Sequence, residues 1–205
     1  MKYSIIFCLT LFSFNLNAQE NQYKSTLITL CNTLLNTQIN DPSDQNFGAL
    51  VCQSINPDNH PVHSRAAESV YPFAVAWKLT GKVKYRDAAI KLGNWLIEIQ
   101  ETSGKKAGGW SEEWPDPKQK FWFGTTSDQL ISLAGAYPLL KNYLTASEID
   151  KWNKSMYDAA EFIRINFPMG SNINYNPTGA VALIFANNNV KNPNENWHSI
   201  PDLKK

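Results

Sequence analysis

Three groups of residues have the side-chain types and spacing to do chemistry, and each lies in a stretch without helical periodicity or at its edge. The first is His60, His63 and Arg65. An imidazole serves as a general base or neutralises a carboxylate, and a guanidinium clamps a carboxylate in bidentate fashion. The alternative is that both histidines brace the loop, since a His-x-x-His spacing has little specificity by itself. The second group is Gly108-Gly109-Trp110-Ser111-Glu112-Glu113-Trp114, followed by Phe121-Trp122-Phe123-Gly124-Thr125-Thr126-Ser127-Asp128. Indole faces stack on apolar sugar faces, carboxylates bond hydroxyl edges, and glycines let backbone approach a ligand closely. Trp110, Trp114 and Trp122 are therefore candidate sugar-binding residues. The competing reading is a hydrophobic plug over the helix ends, against which the number of acids weighs. The third group is Asn172-Ile173-Asn174-Tyr175-Asn176. A phenol can donate or abstract a proton there, and Asn174 can bind a carboxylate; helix capping by Asn176 is the plainer alternative.

Two reactions can be written with these parts. Asp128 is expected at the start of a helix, where the dipole favours its ionised form. It would then act as nucleophile, base or hydroxyl acceptor, with Glu112 or Glu113 as the complementary acid if tryptophan packing raises its pKa. Paired carboxylates of this kind hydrolyse glycosidic bonds. Elimination instead needs a neutraliser, a base and an acid. Tyr175, His63 or His60, and Asn174 or Arg65 would supply them.

Six helices are needed to position these groups. Leu27, Leu30, Cys31, Leu34 and Leu35 mark one buried stripe and predict a helix over Tyr23 to Ile39. A second is expected over Ser64 to Leu79, capped by Ser64 and stopped by Gly81. A third covers Lys84 to Glu101, with Tyr85, Ala88, Leu92, Trp95, Leu96 and Ile99 inward. A fourth starts near Ser127 and carries Leu130, Leu133, Ala134, Tyr137 and Leu140. A fifth opens on a Thr145–Glu148 capping box and buries Ile149, Trp152, Met156, Ala160 and Ile163. A sixth begins at Asn176-Pro177 and runs through Ala186. No stretch alternates as a strand would. The predicted class is all-α: antiparallel αα-hairpins with their long loops on one face, because the long connections follow odd-numbered helices. Tyr71-Pro72 recurs as Tyr137-Pro138, each followed by a short turn and a helix with paired alanines, a weak internal repeat. Kinks at both prolines would help a row of hairpins curve.

Residues 1–18 have the pattern of a secretory signal: Lys2, an apolar run from Ile5 to Phe14, then Ala18 before the expected cut. Residues 19–205 then form one helical-hairpin domain, periplasmic or secreted, with no membrane anchor. Loss of the signal lowers Lys plus Arg from 19 to 18, against 18 Asp plus Glu, so the formal charge is near zero. Nothing in that balance favours nucleic acid. Cys31 and Cys52 remain, either bridged or as two thiols. No metal-type pattern of Cys or His appears, and no metal or cofactor is implied.

Several segments together resemble the (α/α) toroid carbohydrate-active enzymes. They are His63-Ser64-Arg65-Ala66-Ala67-Glu68, Tyr71-Pro72-Phe73-Ala74, Thr80-Gly81-Lys82 with Tyr85-Arg86-Asp87-Ala88-Ala89, Gly108-Gly109-Trp110, Gly124 to Gln129, and Asn174-Tyr175. The group includes six-hairpin glycosidases, uronyl hydrolases and heparinase- or alginate-type lyases. The resemblance implies a polysaccharide or oligosaccharide substrate. It also implies only the N-terminal half of a ring, since a full toroid has about six hairpins and this chain supplies about three. The remainder of the toroid would then be a partner. Hydrolysis is placed ahead of elimination, with a non-catalytic glycan-binding protein as the other alternative.

Overall fold

The computed structural model describes residues 20–52, 62–111, 122–167 and 173–190. They are helical, with isolated bridges Gln38–Leu50 and Val51–Val62 in place of strands. Residues 20–35 form α1. A 3₁₀ turn, Ser64–Ser69, leads into α2, Val70–Thr80; then come α3, Val83–Glu98, α4, Trp122–Leu140, α5, Ala146–Ile165, and α6, Tyr175–Asn189. The expected signal segment, His60, Asn172, Glu112, Glu113 and Trp114 lie outside the described residues.

The punctuation of these helices follows local chemistry. Gly81 closes α2 at φ 67°, a left-handed conformation that side chains disfavour, and its N–H donates to the Trp77 carbonyl. Thr145 and Glu148 form the reciprocal capping box that opens α5. The start of the second segment differs from the sequence reading. Ser64 is not its cap; His63 is, with its Nδ1 accepting from the Arg65 N–H at 3.3 Å. Pro72 falls in the first turn of α2, where its missing N–H costs nothing, so only Pro138 sits inside a helix and the two prolines are not equivalent.

α4 lies at the centre and packs against α2, α3, α5 and α6. Its surroundings explain why it is longer than expected. Trp122, Phe123, Gly124, Thr125, Thr126 and Ser127 read as a polar-aromatic loop, yet all six are buried helical residues. Their mixed polarity gives no amphipathic period, because the helix is covered on nearly every side. Trp95, Trp152, Tyr85, Phe73 and Phe123 fill the core around it. Of the stripe predicted for α1, Cys31 is buried, but Leu30 is 58% exposed and Ile28 packs inward with Leu27, Leu34 and Leu35. Cys31 and Cys52 are both thiols rather than a disulfide, and burial pushes the Cys31 thiol up to about 11.

The two ends of the helices are used differently. At one, Trp77 meets Tyr143 edge to face at 4.8 Å and Arg86 lies over the same Tyr143 ring, joining the α2–α3 and α4–α5 turns. At the other, Ser64 donates to the Ser111 carbonyl, the Trp110 N–H donates to Thr126, and Tyr175 packs on Gly124. The starts of α2, α4 and α6 therefore gather with the Gly108–Ser111 strap. Gly108, at φ 86°, makes that strap possible, because a Cβ there would drive into the Asp158 carbonyl of α5. Gly108→Ala should cost on the order of 3 kcal/mol from backbone strain and overpacking together, read as a lower urea midpoint. An unchanged midpoint would show that the strap is not held against α5.

Candidate functional site

The gathered helix starts form a small charged cluster on an otherwise uncharged helix. Asp128 is the one charged residue of α4. It lies six residues beyond Trp122, past the first turn, so the helix dipole does not hold it ionised as the sequence reading expected. Its partner is Arg65, whose Nη2 lies 3.3 Å from Asp128 Oδ2. The same guanidinium donates through Nε to Glu68 at 2.8 Å. The Asp128 side chain is 31% exposed, Arg65 45% and Glu68 39%, so the cluster opens to solvent while one side is buried. Burial and the charge of Glu68 raise the Asp128 pKa, and Arg65 opposes them without winning.

This cluster is fixed by bonds between the 3₁₀ turn and α4. The buried Gln129 donates from Nε2 to the Ser64 carbonyl at 2.7 Å. One turn on, Ser132 donates to the Glu68 carbonyl at 2.9 Å and accepts from the Tyr71 N–H at 3.2 Å. Ser64, Glu68 and Tyr71 are thus pinned in sequence along one face of α4. Glu68, Gln129 and Ser132 were not singled out from the sequence. The Arg65–Glu68 spacing of three was the available signal, because that spacing pairs side chains across one helical turn.

Tyr175 opens α6 and lies on the same α4 face, one turn before Asp128. A Cβ on Gly124 would come within 2.6 Å of its ring, so the glycine is what admits the tyrosine. The ring also packs on Phe123 with centroids 5.9 Å apart. Asn174 stands exposed at the α6 cap position, where its carbonyl accepts from Thr178. His63 heads the 3₁₀ turn next to Arg65, half-buried, with its Nδ1 turned to the backbone. Asp128, Arg65, His63 and Tyr175 are therefore all carried on elements joined to the first turns of α4.

The tryptophans are placed differently from the expectation. Trp110 is 0% exposed, and its indole N–H donates to the Leu96 carbonyl at 2.8 Å. It is a core side chain with no face left for a sugar. Gly108 and Gly109 approach α5 and Trp122 rather than a ligand. Trp122 is 7% exposed beneath Lys106, whose Nζ is 5.4 Å from the ring centroid. Both are packed where the strap folds inward over the helix ends. That removes the described part of the platform on which a purely glycan-binding role rested. Among the described residues no three of His, Cys, Asp and Glu converge as a metal site would require.

Comparison with known proteins places the chain among lyase relatives. The Ulvan lyase N-terminal domain family matches residues 27–199. The chain is 28% identical over 179 residues to a protein of Formosa agariphila described as a broad-specificity ulvan lyase. That alignment covers 84% of this chain and 26% of the relative, so the chain spans about a quarter of its length. No solved structure matches the chain. These findings overturn the expectation of hydrolysis ahead of elimination. The family and the relative are both named for a lyase, and Asp128 is held by Arg65 away from a helix start rather than poised as a hydrolytic nucleophile.

The raised Asp128 pKa has a consequence for stability. A carboxyl whose pKa is higher folded than unfolded binds its proton more tightly in the folded state, so it favours folding at low pH and that contribution is lost as pH rises through the folded pKa. Asp128→Asn should remove this term. Its stability relative to wild type is expected to be greater at pH 7 than at pH 4, read from paired urea midpoints. An equal difference at both pH values would refute the inferred balance of burial against Arg65.

Proposed function

Because this chain belongs to the Ulvan lyase N-terminal domain family, we propose that it is the helical domain of an exported polysaccharide lyase that cleaves uronate-containing chains by β-elimination. The observation that carries the reading is the extent of the family match. It runs over residues 27–199, and so over each element that builds the Asp128–Arg65–Tyr175 face. In this reading α1 to α6 are consecutive hairpins of a curved (α/α) array, and further helices complete the cleft. The apolar run and Ala18 at the start of the chain support export to where polysaccharide is met.

Elimination follows from the acidity of the proton on C5 of a uronate, next to its carboxylate. Neutralising that carboxylate stabilises the carbanion formed when a base removes the proton. The C4–O bond then breaks, a C4–C5 double bond forms, and an acid protonates the departing oxygen. Arg65 is the described cation on this face with the geometry to neutralise a carboxylate. His63 next to it supplies the base through Nδ1, which must then release the Arg65 N–H that it accepts, and Tyr175 supplies the acid. Asn174, exposed at the head of α6, is the second group that binds a carboxylate edge. The ring of Tyr175 packs on Gly124 and Phe123, which limits the positions that its hydroxyl can take.

The test uses the longest natural form of the chain with neutral and uronate-containing polysaccharides, following reducing ends and the ultraviolet absorbance of an unsaturated uronate together. Both signals should rise on uronate substrates alone. Tyr175→Phe keeps the ring on Gly124 and removes only the hydroxyl, so folding should hold while kcat falls by roughly 10²–10⁴-fold. Reducing ends without absorbance would reject elimination, and a fully active Tyr175→Phe would remove Tyr175 from it.

A further inference from the structure

The Arg65 cluster holds one guanidinium for two carboxylates among the described residues, and the two are not held alike. Glu68 accepts from Nε at 2.8 Å within the same 3₁₀ turn, whereas Asp128 lies 3.3 Å from Nη2 across to α4. The Glu68 bond is short and local. The Asp128 bond is the long one, and a charge-assisted bond weakens as it lengthens. Resting on the lyase reading, we infer that Arg65, Glu68 and Asp128 form the subsite that receives the uronate carboxylate. Glu68 fixes the guanidinium, and the substrate carboxylate displaces Asp128 from Arg65.

The charges around the cluster make this exchange selective. Among the described residues the cluster has two acids and one cation, so a third carboxylate meets repulsion from Asp128 and Glu68 unless one acid gives up its charge. Asp128 is the one that does so. It is the more buried of the two, and burial with the charge of Glu68 already favours its protonated form. The 3₁₀ turn brings Arg65 and Glu68, with His63 at its head; α4 brings no other charge. Titratable side chains from the helices packed beside it are Tyr175 of α6, one turn earlier on Gly124, and Tyr71 of α2, on Gly135. Thr125, three residues before Asp128 and on the same face, has a buried hydroxyl without a partner among the described residues. A protonated Asp128 turned from Arg65 can meet an acceptor on that face rather than an apolar wall. A neutral sugar cannot drive the exchange, so Asp128 makes the subsite selective for carboxylate-bearing units. Binding of a uronate is then coupled to uptake of one proton.

Calorimetric binding of a glucuronate oligosaccharide between about pH 5 and 8 reads this without turnover, with the carboxyl-reduced oligosaccharide as control. Wild type should bind more weakly as pH rises past the Asp128 titration, by up to about tenfold per pH unit. Asp128→Asn should bind tighter at neutral pH and lose that slope, and the control should show no slope in either protein. An Asp128→Asn slope equal to wild type, or equal affinity for the control, overturns the subsite. Glu68→Gln is the second variant: with one negative charge gone, the weakening should move to lower pH, and an unmoved profile has the same overturning force. Failure of the lyase reading would show separately, as absence of ultraviolet absorbance from wild type while the binding slope persists.

Discussion

The constraint on which the rest of this structure depends is the placement of one carboxylate on a helix that is otherwise uncharged and almost wholly enclosed. α4 is covered by α2, α3, α5 and α6, and only Pro138 among its residues is exposed. Burying a charge there without a partner would be costly, so the sequence brings Arg65 to Asp128 and keeps the pair at the opening of the helix array. The 3₁₀ turn carries that arginine. Its carbonyls at Ser64 and Glu68 are bonded by Gln129 and Ser132, and its head is capped by His63. Two polar residues of the central helix, Gln129 and Ser132, thus position this short turn beside Asp128.

Small residues on α4 do the complementary task. Gly124 and Gly135 leave room for the rings of Tyr175 and Tyr71 to lie against the helix, and Ser132 fits between them. Gly124, Asp128 and Gly135 recur at spacings of four and seven, so they fall along one line of the helix surface. Two aromatic rings thus flank the Asp128–Arg65 pair in one row. A Cβ on Gly124 would displace the Tyr175 ring, whereas one on Gly135 would press the Tyr71 ring by a few tenths of an ångström.

The hairpin pattern was legible because it depends on local signals. The Thr145–Glu148 capping box, the Gly81 stop and the inward stripes of α3 and α5 needed only neighbours within one or two turns. The start of α4 was not legible, since Trp122 to Ser127 are polar and aromatic by type but enclosed by elements distant in sequence. The same tertiary fact misplaced Trp110, whose indole N–H bonds the Leu96 carbonyl inside the core. Loop tryptophans near acids read as a ligand platform only while the direction of the loop is unknown. Arg65, His63, Asp128 and Tyr175 were legible as types, but their assembly on one α4 face rests on Gly124 admitting Tyr175 and on the turn crossing Asp128.

The choice between hydrolysis and elimination turns on what a carboxylate is paired with. A hydrolytic pair needs two acids facing a glycosidic bond across open space, one ionised and one neutral. Asp128 instead faces a guanidinium that a second acid already holds, which leaves it no free charge with which to attack carbon. In the proposed reading, an arginine fixed in this way meets a substrate that brings its own carboxylate, as a uronate does. Asp128, which with Glu112 or Glu113 suggested a hydrolase from sequence, instead shares Arg65 with Glu68, an arrangement that supports the proposed uronate chemistry and agrees with the lyase family to which the chain belongs.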